Sequence, residues 1–347
     1  MDSGPPPDLE WCYEAVQGVS RTFALTVEAL DEPMASQIGL GYLLCRVADT
    51  VEDAGHIPPD EQVSLLATYD AALDPDSPET MVDFRAAVDP WLPEPERSAD
   101  WTVVARAPTV WTTFADQPMD VQAAIVPPVR EMVDGMADFL SRHADTGGLR
   151  LSDYAELDRY CHYAAGTVGT LITNLLTRDG VSPDRTEALY DTAGSFARLL
   201  QLVNVAKDVH ADFEEENNVY LPATWLAAEG VDQEHVLAER NRDSVARVVE
   251  RTATRARSFL DDAQSYLETM PLSHGNTLAA WSVPYLLSVG TLRELENRPG
   301  DALTESGVKV DREEVFAVMA VASDTDHEKL GDLRSSIARE PYHLVVE

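Results

Sequence analysis

Apolar residues recur at helical spacing along almost the whole chain, and two stretches carry a polar stripe through an otherwise apolar helix. In one, Leu199, Leu200, Leu202, Val203, Val205 and Val209 form the apolar body. Gln201, Asn204, Asp208 and Asp212 cross it at spacings of three, four and four. In the other, Tyr42, Arg46, Asp49 and Asp53 follow one another at four, three and four. Residues so spaced stack on one helix face. Polar groups threaded through an apolar helix are costly to bury without partners. The two stripes are therefore expected to face each other across a cavity.

The same periodicity predicts the other elements. Helix is expected over residues 9–30, with a break near 18–20, and again from Pro33 to about residue 55. Further helices are expected over residues 60–73, up to about Val88, and from about 100 to 144 with a break at Gln117-Pro118. Asp153-x-x-Glu156 has the form of a capping box opening the next helix. Within that helix Gly166 and Gly169 cost roughly 1 kcal/mol each relative to alanine, which predicts close packing or a local bend. The last helices are expected over residues 184–214, 242–269, 274–297 and 311–322. The proline-rich segment 89–95 reads as a surface loop. No run of alternating strand pattern appears, so the expected class is all-α. The expected organisation is a mobile tail over residues 1–8, one helical domain over 9–322 and a polar segment over 323–347.

Composition narrows the function classes. The chain has 347 residues, 44% of them hydrophobic, enough for a large core. Against 61 acidic residues stand 26 basic ones, a net charge of −35 spread along the whole length. That balance suits a surface adapted to high salt, as in a salt-adapted (halophilic) organism. It leaves no basic patch to meet a nucleic-acid backbone. Cys12, Cys45 and Cys161 lie far apart with no CxxC, which speaks for a reducing interior and against disulfides or zinc. The first residues lack the pattern of a signal peptide. The apolar run at residues 278–292 contains Pro284 and is too short to span a bilayer. The expected protein is a cytoplasmic monomer with no transmembrane span and at most peripheral membrane contact.

Candidate chemistry gathers on the stripes. Asp49 and Asp53, like Asp208 and Asp212, stand one turn apart, an arrangement suited to hard divalent cations with oxygen ligands. Arg46 and Lys207 supply positive charge where an anion meets such a metal, and Ser20-Arg21 falls at a helix start. Tyr160 and Tyr163 read as core aromatics, although Tyr160, beside an acidic site, also suits a phosphate or a developing cation. His162 and His210 have no HxxxH partner, so a structural or surface role is expected. Gly39-Leu40-Gly41 lacks the rest of a dinucleotide fingerprint, and neither a Walker loop nor a nucleophile elbow is present. The residues point to metal ions that bridge carboxylates to a diphosphate and draw it off a carbon, with apolar walls keeping water from the carbocation. The competing expectation is a non-catalytic helical protein whose stripes bind cations or a partner.

The sequence resembles the squalene/phytoene synthase family of head-to-head prenyl synthases. The matching pieces are Ser20-Arg21-Thr22-Phe23, residues 42–53 with their Asp49-Thr50-Val51-Glu52-Asp53 core, Tyr160-Cys161-His162-Tyr163-Ala164-Ala165-Gly166, residues 201–212 and Tyr220-Leu221-Pro222. They occur in the family's order over about residues 11–225. The first acidic motif and Tyr160-Cys161-His162-Tyr163 look more like the squalene synthase branch than the phytoene synthase branch. So do residues 284–292 and Val308-Lys309-Val310.

The resemblance implies an isoprenoid-synthase-type helical bundle around a central cavity. It implies Mg²⁺ (or Mn²⁺) held by Asp49, Asp53, Asp208 and Asp212 with Glu52 alongside. Diphosphates would be held by Ser20, Arg21, Arg46, Asn204 and Lys207, with Gln201 also on the substrate. Tyr42, Tyr160, Arg46, Asp49 and Asp208 would take part in the reaction. The implied activity is condensation of two farnesyl diphosphates to presqualene diphosphate and reduction to squalene with NADPH, without a dinucleotide-binding fold. The alternatives within the family are phytoene or dehydrosqualene formation without reduction. Three positions depart from the pattern. Lys207 replaces the usual arginine, whose planar fork a lysine cannot reproduce. Ala211 stands for the usual glutamate, and Ala54 for a further aspartate common in squalene synthases. No C-terminal membrane anchor of the kind eukaryotic relatives carry is visible.

Overall fold

The computed structural model describes residues 7–93, 98–178, 180–271, 275–323 and 325–345. Residues 1–6 of the expected tail, like 94 and 95 of the expected loop, lie outside them. Within the described residues the chain is helical, with an isolated bridge between Arg150 and Val219 as its extended pairing. In order the helices are α1 (Pro7–Val19), α2 (Arg21–Ala29), α3 (Met34–Glu52), α4 (Pro59–Leu73), α5 (Met81–Val88) and α6 (Ala99–Ala105). Then come α7 (Ala107–Ala115), α8 (Met119–Arg142), α9 (Tyr154–Cys161), α10 (Thr167–Thr177), α11 (Pro183–Lys207) and α12 (Val209–Glu216). The last are α13 (Ala223–Ala228), α14 (Arg242–Arg257), α15 (Leu260–Thr269), α16 (Thr277–Asn297), α17 (Arg312–Ala322) and α18 (Leu330–Arg339). The all-α expectation holds.

The apolar body of α3 explains its place at the centre. Leu40, Leu43, Leu44, Val47, Ala48 and Val51 are at most 1% exposed, and α1, α6, α7 and α8 pack around them. On the other side α11 is the hub, packed against α10, α14, α15 and α16. Each polar stripe thus rides on a helix that its neighbours hold from several directions.

Several boundaries follow their chemistry. The expected break near residues 18–20 falls between α1 and α2, where Ser20 caps α2 by accepting the Phe23 N–H at 3.2 Å. The capping box at Asp153 is half formed. Asp153 accepts the Glu156 N–H at 2.9 Å, but the Glu156 carboxylate turns to the Ser152 N–H and hydroxyl. Gly166 ends a π-helical turn over His162–Gly166, and Gly169 lets α10 lie against α11. A Cβ at 169 would sit 3.2 Å from the Ala193 carbonyl oxygen.

Three expectations are corrected. The helix expected over 184–214 is two, α11 and α12, which part at Asp208 (φ −104°, ψ 13°) while Asp212 N–H still reaches the Asp208 carbonyl. The helix expected over 242–269 divides into α14 and α15 after Ser258, whose hydroxyl bonds back to the Arg255 carbonyl at 2.7 Å. Such back-bonding competes with the helical ladder. The helix expected from about residue 100 to the break at Gln117-Pro118 divides into α6 and α7 at Arg106 (φ −106°, ψ 19°). Beyond residue 322, α18 buries Leu330, Leu333 and Ile337 and packs against α16. No helix among the described residues is long and apolar enough to cross a membrane.

Candidate active site

The first stripe lies at the C-terminal half of α3. Tyr42 stacks on Phe23 of α2, with ring centroids 4.0 Å apart. Burial pushes its phenol up to about 12, against the opposing pull of Arg46 and Ser20. One turn on, Arg46 pairs with Asp49 and places its Nε 2.7 Å from Asp100 Oδ1 on α6. Burial raises the Asp49 carboxyl although Arg46 pulls it down. Asp53 caps the end of α3 and is raised well above the usual range by burial and then by the charges of Asp49, Glu216 and Glu52. Glu52 is 4% exposed, and neither of its carboxylate oxygens has a hydrogen-bond partner among the described residues. Arg21 is the first residue of α2, and its side chain lies outside what the structure describes.

The second stripe spans the α11–α12 bend. Lys207 pairs with Asp208. Asp212, one turn later, is pushed up to about 9 by burial and by the charges of Asp208 and Glu216. Gln201 is half-buried, and Asn204 is exposed on the same face. The two stripes meet through Glu216, the last residue of α12. Its carboxyl is pushed up to about 7 by burial, partly relieved by its bond to Asn218, and the Asp49 charge adds to the rise. Glu216 in turn raises Asp53, Glu52 and Asp212. Five carboxylates from α3 and α12 therefore feel one another's charge. A cavity of about 330 Å³ opens beside them, lined in part by Glu52, Asp53, His143, Glu216 and Asn218.

Tyr160, near the end of α9, is 5% exposed and stands against Tyr220, with hydroxyls 3.1 Å and ring centroids 4.7 Å apart. Burial raises both phenols far above the usual range. The charge of Glu52 acts next on Tyr160, and that of Asp53 next on Tyr220. Asn218 donates to the Tyr220 oxygen at 3.1 Å and to Glu216 at 3.2 Å. This hydrogen-bonded run joins Tyr160 to the point where the stripes meet.

An oxygen-only donor set with excess negative charge suits a hard cation. No three of these groups converge on one point among the described residues. Mg²⁺ is usually bound through one or two carboxylates together with substrate phosphates and water. The unpartnered Glu52 oxygens and the mutually raised carboxyls fit such ions.

Sequence reasoning had named Tyr42, Arg46, Asp49, Glu52, Asp53, Tyr160, Asp208 and Asp212, and the structure gathers them around these motifs. The helix expected over 184–214 stops short of Glu216 and Asn218, yet Glu216 continues the 204, 208, 212 spacing by four. Asp100 gave no signal, since it meets Arg46 across 54 positions of sequence. His162 pairs with Glu131 on the surface at 2.9 Å, as a surface role requires. The three cysteines are buried and free.

Comparison with known proteins agrees with this geometry. The family model for squalene/phytoene synthase matches residues 16–314. The chain is 30% identical over 210 residues to the Botryococcus squalene synthase of Botryococcus braunii, which covers 60% of this chain and 41% of that one. It is 26% identical to squalene synthase 1 of Arabidopsis thaliana, over 83% of this chain and 65% of that one. It thus spans less than two thirds of the length of these relatives. Among solved structures, a TcSQS complex with a ligand matches with a TM-score of 0.78 at 21% identity, covering 99% of this chain and 100% of that one. A dehydrosqualene synthase complex matches with a TM-score of 0.64 at 19% identity, covering 91% and 95%. The fold is the all-α isoprenoid synthase fold. The chain belongs to the squalene/phytoene synthase family, whose members are prenyltransferases.

Proposed function

We propose that the protein is a squalene synthase that joins two farnesyl diphosphates head to head into presqualene diphosphate and reduces it to squalene. The observation that carries the reading is the meeting of the two acidic stripes at Glu216, with a cation paired to each stripe. Asp49 and Asp53, with Glu52 beside them, would hold divalent ions on one side of a diphosphate. Asp208 and Asp212 would hold them on the other. Bound Mg²⁺ supplies Lewis-acid stabilisation of the departing diphosphate.

The chain's own residues do the rest. Arg46 and Lys207 rest against Asp49 and Asp208, from which each can turn to an incoming diphosphate oxygen. The side chains of Gln201 and Asn204, on the same face as Asp208, suit hydrogen bonds to the same group. Tyr42, packed on Phe23, presents an aromatic face to a developing cation. The apolar flanks of α3 and α16 keep water away from it.

Reduction by NADPH is proposed from the relatives named squalene synthase. The cavity beside Glu52 is lined by three carboxylates and, among the described residues, by no lysine or arginine. It does not suit a dinucleotide's phosphates. The second reading, dehydrosqualene or phytoene formation without reduction, is favoured by the match to a dehydrosqualene synthase structure.

The deciding experiment offers purified protein farnesyl or geranylgeranyl diphosphate with Mg²⁺, with and without NADPH, and identifies products by mass. Squalene that forms only with NADPH supports the proposal. Dehydrosqualene or phytoene regardless of NADPH moves the protein to the second reading. Absence of any product would refute both.

A further inference from the structure

Tyr160 is the buried phenol that the sequence placed at the reacting centre, and the structure gives it a neighbour with a defined polarity. Asn218 sets that polarity. Its Oδ1 accepts the Leu149 N–H at 2.7 Å, so its Nδ2 is the atom turned toward Glu216 and Tyr220. An amide nitrogen only donates, so the Tyr220 oxygen accepts. The Tyr160 O–H donates to the same oxygen at 3.1 Å, the single hydrogen bond between the two phenols. Two O–H protons are present and one is used between the rings. Since Asn218 cannot accept the other, the Tyr220 proton is left with no acceptor among the described residues.

Both rings are buried, Tyr160 at 5% and Tyr220 at 7% exposure. A buried donor without a partner is costly in a finished fold. A bound anion beside the carboxylates of α3 would remove that cost. The ordinary role of two buried tyrosines is packing, and the rings do pack, but packing requires no donor of fixed direction.

The surrounding backbone holds the arrangement still. Asn217 takes a left-handed conformation (φ 57°), and its Nδ2 donates to the Gly147 carbonyl at 2.8 Å. Arg150, 7% exposed, donates to Asn217 Oδ1 at 2.8 Å. Val219 N–H reaches the Leu149 carbonyl at 2.8 Å. At Gly148 a Cβ would collide with the Asn217 carbonyl oxygen. A donor fixed before the ligand arrives needs no reorganisation when charge develops.

We propose that Tyr160 and Asn218 are positioning residues for Tyr220, which keep its O–H aimed at an oxygen of the leaving diphosphate. No covalent step is involved. The hydrogen bond strengthens as negative charge grows on that oxygen, so it favours the transition state over the bound substrate. This inference rests on the prenyl synthase reading, and its test separates the two.

The full-length variants Tyr220→Phe and Asn218→Ala are compared with the parent protein. Tyr220→Phe keeps the ring that packs on Tyr160 and removes only its oxygen. Diphosphate release from farnesyl diphosphate with Mg²⁺ gives kcat and KM, and calorimetry gives the affinity for inorganic diphosphate with Mg²⁺. The expected result for each variant is a kcat lower by about 10- to 100-fold with KM changed less than about threefold. Inorganic diphosphate binding should weaken roughly tenfold, with Tm near that of the parent. Variants that keep both kcat and diphosphate affinity within about twofold would overturn the proposal. So would a loss of rate matched by an equal loss of helical signal and Tm, which would leave Tyr220 a packing residue. If the parent protein releases no diphosphate from any prenyl substrate, the prenyl synthase reading fails. Calorimetry then still decides on the pair, because unchanged binding by Tyr220→Phe overturns it and weakened binding sustains it.

Discussion

Burial and the charges of Asp208 and Glu216 push the Asp212 carboxyl up to about 9, and burial with the Asp49 charge pushes that of Glu216 up to about 7. Ordinary carboxyls titrate near 4. An acid whose folded pKa exceeds its unfolded one contributes stability at low pH and loses it as pH rises through the folded value. Metal-free protein is therefore expected to lose Tm steadily between about pH 5 and 9. Added Mg²⁺ should flatten that slope. A Tm in EDTA that rises or stays level over the same window would contradict the assignment. The substitution Asp212→Asn removes the repulsion and keeps the shape. It should raise the Tm of metal-free protein while lowering turnover by about 100-fold or more. Thermal scans and a diphosphate-release assay on one preparation check both halves. At this scale the sequence was readable where chemistry repeated at helical spacing, as for Asp49, Asp53, Asp208 and Asp212. It was silent on Asp100 and on the direction of Asn218, because both act through contacts that no local pattern encodes.

Among the elements, α3 and the C-terminal part of α11 were legible because their apolar positions fill the faces beside the polar stripe. The bends at Asp208 and Ser258 were not, since the periodicity continues through both. The helix in the polar end of the chain was not legible because α18 offers only Leu330, Leu333 and Ile337 to the core. What fastens it is an ion pair. Arg293 on α16 meets Glu314 on α17 at 2.7 Å, with Glu314 1% exposed. Arg293 also donates to the Ile337 carbonyl at 2.7 Å, and Glu314 accepts the Tyr342 N–H at 2.9 Å. Removing Glu314 leaves Arg293 paired to Glu294 at 2.8 Å, but strips the buried Tyr342 N–H and part of the Arg293 fork of their acceptor. Glu314→Ala is expected to cost about 2–3 kcal/mol in denaturant unfolding. A loss below about 1 kcal/mol would show that the last two helices are held by packing instead.

For the whole molecule, charge and fold make separate statements. The all-α class and the family were accessible from periodicity and motif order, because the fold is the means of bringing two distant stripes together. The net charge of −35 bears on solution behaviour. Repulsion on this scale is screened by salt, so Tm and turnover are expected to rise with KCl from dilute buffer to molar concentration. Equal stability and activity in dilute buffer would contradict a surface tuned to high salt. The central claim is that both acidic stripes act on one diphosphate. Its most direct test is Mg²⁺-dependent release of diphosphate from farnesyl diphosphate by the parent protein, Asp49→Asn and Asp208→Asn, each checked for unchanged helical content. The account predicts release by the parent only with Mg²⁺ and a fall of at least about 100-fold in both variants. Near-parental release by either variant would contradict it, since one stripe would then suffice.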